Sequence, residues 1–269
     1  MKKFLTAILA CALALVMMVA TVGCSNGKYV ANAIEGIEGE EFGFAVGKNS
    51  SKKTEILNAM NEVIEETNML DVFAYYNDIY DEKTPSVTLQ FPNLSDNTAG
   101  ALKVYTESGF APYEFYDGDD LVGVDVYLMS LVCEKLNMTL DVTDTDFDGI
   151  CGKVATEDNA VGAAGITITE ERKNTLAFSN PYDSSIQYII STKDQAFTKL
   201  EQLQGKKIGV QKGTTGWLLI TEEIESGVLK DTGTTVVDYV SGPVAFTALK
   251  TGKVDFVVID KLPALSLVK

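Results

Sequence analysis

Segments with strand character alternate with segments of helical character from residue 101 to the end of this sequence. Strand-like apolar runs occupy residues 101–106, 138–142, 160–168, 187–191, 207–210, 235–239 and 254–259. The intervening segments repeat apolar side chains every three or four residues, which predicts helices at 124–136, 148–154, from 169 onward, 217–225, 243–250 and 262–268. Alternation of this kind is typical of α/β layers built on mostly parallel sheets.

The part before residue 100 has a different pattern. Residues 41–46 predict a strand, and residues 52–66 and 71–80 predict two amphipathic helices. Residues 83–99 contain two prolines and many polar residues, which indicates a linker.

The N-terminus has the composition of an export signal. Lys2 and Lys3 precede an apolar run over 4–20, and small residues then lead to Cys24. This resembles a bacterial lipoprotein processing site, and we expect residues 1–23 to be a signal peptide and Cys24 to be lipidated. The alternative is an uncleaved anchor, although the run is short for a membrane-spanning helix. In both cases the rest of the chain lies outside the cytoplasm and is held at the cell membrane.

Charge and composition exclude several classes of function. The formal net charge is −16, which argues against nucleic acid or an anionic membrane surface as a partner. The sequence has no histidine, so it contains neither a Cys/His metal pattern nor a Ser-His-Asp or Cys-His centre. We therefore predict no metal, no cofactor and no catalytic residue. Cys133 and Cys151 are expected to be free thiols, with a disulfide or reactive pair as the alternative.

Arg172 is the single arginine of the chain, and the other 21 basic residues are lysines. Only arginine offers a planar fork of two parallel N–H donors to a carboxylate. This makes Arg172 a candidate anion-binding residue. The alternative is a solvated residue on a helix.

Seven motifs follow one another beyond residue 100. They are ESGFAPYEF at 107–115, LVGVDV at 121–126, DFDG at 146–149, AGITITEER at 164–172, FSNPY at 178–182, LQGKKIGVQKGTTG at 203–216 and GKVDFVVID at 252–260. In this order they resemble the polar-amino-acid-binding receptors of ABC importers, the group that contains glutamine- and histidine-binding proteins. The resemblance spans residues 101–269. It implies an α/β fold of the type II periplasmic-binding-protein class, with two lobes joined by a two-strand hinge.

The order of the elements departs from that family. Beyond the position that matches Lys269, the family adds a strand, a hinge crossing and a helix pair, and residues 27–80 resemble those elements placed at the front. The resemblance therefore implies a circular permutation, with the linker joining the usual termini. The alternative is a truncated gene fused to an unrelated leader. The expected divisions are 1–23 signal peptide, 24–41 lipidated N-terminus and final strand of lobe 2, 42–183 lobe 1 with linker 83–99, and 184–269 lobe 2.

The resemblance also implies a site for a free amino acid, in which each charge of the zwitterion needs a partner once it is buried. Arg172 would bind the α-carboxylate, helped by Thr167 and by backbone N–H groups near Thr215, after Gly213, at a helix N-terminus. Asp260 and the Gly165 carbonyl would bind the α-ammonium.

Three of these assignments have structural alternatives. Thr167 and Glu170 fit a helix capping box, Asp260 fits a helix N-cap, and the segment from Gly213 fits an ordinary turn.

Selectivity for the ligand side chain is expected from four further residues. Phe110 and Phe147 match aromatic positions that enclose the side chain, while Glu107 and Gln211 match an acidic and a polar position facing it. A carboxylate there favours amide or cationic side chains and disfavours glutamate and aspartate. The alternative for each aromatic residue is a place in the core.

The resemblance thus implies a lipid-anchored receptor that binds a polar or basic L-amino acid and delivers it to an ABC permease, without catalysis. Two other classes stay open. Some relatives of the fold are dehydratases, for which Glu107 is the candidate acid or base, and others are ligand-sensing modules.

Overall fold

The computed structural model describes residues 27–194 and 197–269, which form two five-stranded sheets and two short sheets of two strands each. We call the elements around the first sheet lobe 1 and those around the second sheet lobe 2. The expected signal peptide at 1–23 and the expected lipidation site Cys24 lie outside the described residues.

The sheet of lobe 1 mixes parallel and antiparallel strands. In spatial order it contains β7 (Thr139–Asp144), β4 (Ala101–Thr106), β8 (Ala160–Gly162), β3 (Ala45–Gly47) and β9 (Leu176–Phe178). The strand β4 runs parallel to β7 and β8, whereas β3 runs antiparallel to β8 and β9. Residues from the front of the chain therefore lie in the middle of a sheet whose other strands come from beyond residue 100.

Helices cover both faces of this sheet. They are α1 (Lys53–Glu66), α2 (Met69–Tyr80), α3 (Val124–Leu136) and α4 (Phe147–Thr156), and a hairpin of β5 (Phe115–Asp117) and β6 (Asp120–Val122) lies beside them. Leu102 and Val104 of β4 face the core formed with α1 and α3, and Tyr105 faces the core formed with α4. This alternation along one strand is what a sheet buried on both faces requires.

Lobe 2 repeats the arrangement with a second mixed sheet. Its order is β1 (Tyr29–Ala33), β11 (Gln187–Thr192), β14 (Phe256–Asp260), β12 (Lys207–Gln211) and β13 (Thr235–Tyr239), with helices α5 (Thr215–Glu225), α6 (Gly242–Lys250) and α7 (Lys261–Leu267). Every residue of β14 is buried. Phe256 and Val258 pack towards Ile220 of α5, and Val257 and Ile259 belong to the core on the other face.

A two-stranded ribbon connects the lobes. It pairs β2 (Glu40–Phe42) with β10 (Asp183–Ser185) in antiparallel register, so that Glu40 lies opposite Ser185. Along the chain, each ribbon strand lies between an element of one lobe and an element of the other, which is the arrangement expected of a two-strand hinge.

The predicted fold class is confirmed, including two α/β lobes joined by two strands. Three local expectations are wrong. The sheets are not mostly parallel, because two of the four strand pairs in each are antiparallel. The run 160–168 is a strand only to Gly162, and the helix expected from 169 is a 3₁₀ turn at Arg172–Asn174. The run 41–46 is two strands, since the chain passes from the ribbon into lobe 1 at Gly43.

Two further observations concern cysteines and membranes. Cys133 is buried and Cys151 half-buried, and both are free thiols, in agreement with the prediction. Among the described residues, none of the helices has the length and apolarity needed to cross a bilayer.

Candidate functional site

A small cleft between the lobes collects most of the residues that the sequence singles out. Its lining residues are Phe110, Phe147, Gly165 and Thr167 from lobe 1, and Gln211, Thr214, Thr215 and Asp260 from lobe 2. Seven of these eight are predicted site residues, and Thr214 is the addition. Glu107, Arg172 and Gly213 contact this group through hydrogen bonds.

The fold explains why these residues meet. Gln211 ends β12 and Asp260 ends β14, while Glu107 follows β4 and Gly165 follows β8. In open α/β sheets the loops beyond the carboxyl ends of parallel strands form a common crevice. The two lobes turn these edges towards each other, so residues far apart in sequence line one cleft.

Arg172 spans the cleft. Its Nη1 donates to the carbonyl of Thr167 in lobe 1 at 2.8 Å, and its Nη2 donates to the carbonyl of Gly213 in lobe 2 at 3.1 Å. The guanidinium also lies 5.6 Å from the centre of the Phe147 ring. Arg172 is thus half-buried, and this burial lowers its pKa. It is not the solvated helix residue of the alternative interpretation.

The capping box considered for Thr167 is not formed. The backbone N–H of Arg172 donates to Thr169 Oγ1 at 3.2 Å, so Thr169 caps the turn. The hydroxyl of Thr167 is directed elsewhere and donates to Glu40 Oε2 at 2.7 Å.

The helix α5 begins in the cleft. Thr214 is its N-cap, and the Thr214 hydroxyl accepts from the backbone N–H of Trp217 at 3.2 Å. Gly213 before it has φ +79°, and a Cβ there would lie 2.8 Å from the Cβ of Asp148 in lobe 1. The missing side chain lets the N-terminus of α5 approach lobe 1, which leaves a helix end suited to an anion at the cleft.

Asp260 is directed into the cleft rather than towards its own helix. It occupies the N-cap position of α7, but its side chain makes no capping hydrogen bond. Its side chain is 4% exposed, and its Oδ1 has no hydrogen-bond partner among the described residues. Burial, together with the negative charge of Glu40, raises the pKa of Asp260 to about 7. A buried carboxylate oxygen without a donor is an atom that a cationic ligand would stabilise.

Glu107 forms a second acidic point across the lobe boundary. Its Oε2 accepts from Gln211 Nε2 at 2.9 Å, and its Oε1 accepts from the backbone N–H of Gly109 at 3.1 Å. Burial raises the pKa of Glu107 to about 7, even though the hydrogen bond from Gln211 acts in the opposite direction. Gln211 Oε1 has no partner among the described residues.

Close packing of an aromatic ring on a glycine shapes the lobe 1 wall. Gly165 has φ +53°, and a Cβ there would lie 2.4 Å from Cε1 of Phe110. The Gly165 N–H donates to the buried carboxylate of Asp125 at 3.1 Å. This bond to Asp125 therefore fixes the backbone of Gly165 at the wall of the cleft.

Sequence reasoning missed two groups at the site. Glu40 of β2 accepts hydrogen bonds from Thr167, Thr215 and Gln187, and Gln187 of β11 lies opposite Asp260 in register. Glu40 lies near the end of the segment 24–41, which was assigned to the final strand of lobe 2, and it stands outside the seven motifs.

The second missed group lies behind the cleft. Asp125 accepts from Gly165 N–H and from the Tyr182 hydroxyl, the latter at 2.9 Å. Glu114 lies beside it, and burial raises the pKa of Glu114 well above its usual range. No spacing in the sequence indicates this pair, because the two residues meet only through the tertiary fold.

The cleft therefore presents groups of both charges. It offers a guanidinium and a helix N-terminus for an anion, and buried carboxylates for cations. Within 27–194 and 197–269, no cluster of three metal-ligating side chains is present.

Comparison with known proteins gives a consistent picture. Residues 102–232 match the bacterial extracellular solute-binding proteins, family 3. The arginine-binding extracellular protein ArtP of Bacillus subtilis is 32% identical over 120 residues, which cover 45% of this chain and 47% of that protein. The L-cystine-binding protein TcyJ of Escherichia coli is 30% identical over 174 residues, which cover 63% of this chain and 62% of that protein. The match thus spans about half to two thirds of the length of these curated relatives.

Solved structures give the same result. An ancestral arginine-binding protein bound to arginine is 39% identical, with a TM-score of 0.57, covering 63% of this chain and 74% of that one. An ancestral amino acid-binding protein described as a precursor of cyclohexadienyl dehydratase is 29% identical, with a TM-score of 0.54, covering 60% and 70%. These relatives are named as binding proteins, and one of them is connected by its description to an enzyme.

Proposed function

We propose that this chain, which belongs to the bacterial extracellular solute-binding proteins of family 3, is the binding receptor of an ABC importer and encloses a free polar or basic L-amino acid between its lobes. The observation that carries the proposal is the cleft itself, since one guanidinium and two buried carboxyl groups of raised pKa lie in or beside it. A zwitterion with a cationic side chain supplies the opposite charge to each of them.

Arg172 and the start of α5 form the proposed α-carboxylate pole. Two N–H groups of Arg172 donate to carbonyls of Thr167 and Gly213, and a carboxylate would accept from the guanidinium with the backbone N–H of Thr215. Hydrogen bonds between ionised partners contribute about 1.5–3 kcal/mol each. Because the guanidinium already touches both lobes, a ligand bound to it would favour the closed arrangement.

Asp260 and the Gly165 carbonyl form the proposed α-ammonium pole. The unpartnered Oδ1 of Asp260 supports this assignment, because an ammonium would supply the missing donor. The Gly165 N–H donates to Asp125, which fixes the backbone of the residue whose carbonyl is proposed to accept.

Glu107 and Gln211 form the proposed side-chain end of the site, and Phe110 and Phe147 its walls. Glu107 is 7% exposed, and a guanidinium or ammonium beside it would stabilise the ionised form. We therefore favour a basic amino acid. Arginine-binding relatives support this choice.

The element order is proposed to be circularly permuted, with lobe 1 at 42–183 and lobe 2 at 184–269 completed by 24–41. Supporting this, the family match begins at residue 102, whereas β1, β2 and β3 contribute to the sheet of lobe 2, the ribbon and the sheet of lobe 1. An unrelated leader would have no reason to supply strands to all three. Exposed loops tolerate such rearranged termini.

The receptor is proposed to act outside the cytoplasm, with residues 1–23 removed and Cys24 lipidated. A tether at Cys24 would then lead directly into β1 of lobe 2. Metabolic labelling with a radioactive fatty acid tests the anchor: label should enter the wild type and not Cys24→Ala.

A thermal-shift screen tests the binding function. Protein stripped of ligand by unfolding and refolding should melt at a higher temperature with one or more of arginine, lysine, histidine and glutamine, because a ligand that binds only the folded state stabilises it. Aspartate and glutamate should have no effect. The absence of a shift with every amino acid, or a shift with aspartate alone, would contradict the proposal.

A further inference from the structure

Glu40 joins the hinge ribbon to both lobes. Its Oε2 accepts from the Thr167 hydroxyl of lobe 1 at 2.7 Å and also from the Thr215 hydroxyl of lobe 2. Its Oε1 accepts from Gln187 Nε2 of lobe 2 at 2.9 Å. Thr167 and Thr215 line the cleft, so the carboxylate of Glu40 lies directly behind its wall.

A second carboxylate lies close to this one. Gln187, which donates to Glu40, is opposite Asp260 in the pairing of β11 with β14. The charge of Glu40 is one of the causes that raise the pKa of Asp260. Glu40, Gln187 and Asp260 therefore form one unit of interacting polar side chains, in which the charge of Glu40 affects Asp260.

This unit has more hydrogen-bond acceptors than donors. Asp260 Oδ1 and Gln187 Oε1 are both buried without a hydrogen-bond partner in the described part of the chain. Buried acceptors are normally satisfied, so the missing partner is a group rich in N–H donors. A primary ammonium supplies three N–H donors and the positive charge that two neighbouring carboxylates require.

Resting on the proposed function, we infer that Glu40 is a second carboxylate of the ammonium pole. From behind Thr167 and Thr215, its negative charge stabilises the ligand's α-ammonium, which Asp260 contacts directly. Glu40 is then a specificity-determining residue that selects ligands with a protonated α-amine. With Glu40 included, the site has three acidic groups, Glu40, Glu107 and Asp260. It has one basic group, which is Arg172. That charge count favours a ligand with two positive groups and one negative group.

A purely structural role makes a different prediction. If Glu40 only links Thr167 to Thr215, its loss weakens every ligand to the same extent, whether or not the ligand has an α-ammonium. Loss of the Glu40 charge changes the pKa of Asp260 in both roles. The two roles therefore separate by ligand.

The test compares L-arginine with its α-hydroxy acid analogue, which lacks the ammonium, by titration calorimetry on stripped protein. Glu40→Gln keeps the size of the side chain and removes its charge. The inference predicts that this variant loses at least tenfold in affinity for arginine and less than threefold for the analogue. Glu41→Gln is the matched control, because Glu41 is the exposed neighbour on the same strand, and it should bind both ligands as the wild type does.

The pH profile tests the electrostatic coupling between Glu40 and Asp260 on which the inference depends. In the wild type the affinity for arginine should rise as Asp260 ionises near pH 7. In Glu40→Gln that rise should move to lower pH, because a neighbouring negative charge no longer opposes ionisation of Asp260. Glu40→Asp retains the charge, so it should keep the wild-type pH profile.

The outcomes separate the two proposals. A wild type that binds arginine, with Glu40→Gln unaffected or equally weakened for both ligands, overturns the role of Glu40 and leaves the receptor function standing. An unmoved pH profile in Glu40→Gln has the same consequence. A wild type that binds no amino acid overturns both. Circular dichroism of each variant establishes that it is folded.

Discussion

Raising the pH from 5 to 8 should destabilise the ligand-free protein, because Glu107 is buried in the cleft. Its pKa is raised from 4.5 to about 7, mainly by burial. A carboxyl group with a raised pKa binds its proton more tightly in the folded state than in the unfolded state. Its contribution to stability is therefore complete below pH 4.5 and is lost as the pH rises through 7.

The size of the effect follows from the shift. One pKa unit corresponds to about 1.4 kcal/mol, so ionisation of Glu107 at pH 8 lowers the free energy of unfolding by roughly 3 kcal/mol. Glu107→Gln removes this titration. Gln211 can rotate its amide so that the unpartnered Oε1 accepts from the new amide. The variant should match the wild type at pH 5 and be roughly 3 kcal/mol more stable at pH 8.

Urea unfolding of stripped protein at pH 5, 6, 7 and 8, followed by circular dichroism, measures this difference. Glu41→Gln is the control, since Glu41 is exposed, and its curve should run parallel to the wild type. A difference between wild type and Glu107→Gln that does not change from pH 5 to 8 would refute the reasoning. So would a variant that is less stable than the wild type at pH 8.

Further predictions concern Arg172, Gly165 and the release of protons when a ligand binds. Arg172→Lys should weaken amino-acid binding roughly tenfold to a hundredfold, because lysine cannot donate two parallel hydrogen bonds, while Lys173→Gln should change nothing; calorimetry measures both. Gly165→Ala should lower the free energy of unfolding by about 2 kcal/mol or more, because Gly165 has a positive φ and a Cβ there would press on the Phe110 ring. Gly152→Ala is the control and should be neutral or stabilising, because a Cβ there meets nothing within 4 Å. Binding of a basic amino acid near pH 7 should release protons from the two buried acids, seen as a binding heat that depends on the ionisation enthalpy of the buffer; equal heats in all buffers would contradict this.

Sequence periodicity was sufficient for the elements that keep one role along their whole length. The strand predicted at 101–106 and the helix predicted at 124–136 have the observed bounds, because their apolar residues repeat at the period of the element they form. The errors lie where a short segment changes role. At 160–168 the apolar run leaves the sheet after Gly162 and becomes a wall of the cleft, which no local pattern distinguishes from a longer strand.

The cleft was predictable to the extent that its residues stand in motifs. Arg172, Thr167 and Asp260 stand in motifs, and the fold brings them to the same cleft or its rim. Glu40 and Gln187 were missed because their roles depend on contacts between segments about 150 residues apart. The neighbouring sequence does not indicate whether an acidic residue in a strand faces solvent, as Glu41 does, or a buried site.

Titration calorimetry of stripped protein with L-arginine and with the amine formed by removing its carboxylate tests the central claim most directly. One arginine should bind per chain, and the amine should bind more weakly by a hundredfold or more, because it leaves Arg172 without its anion. Equal affinity for both compounds, or no heat with arginine, lysine, histidine or glutamine, would contradict that claim.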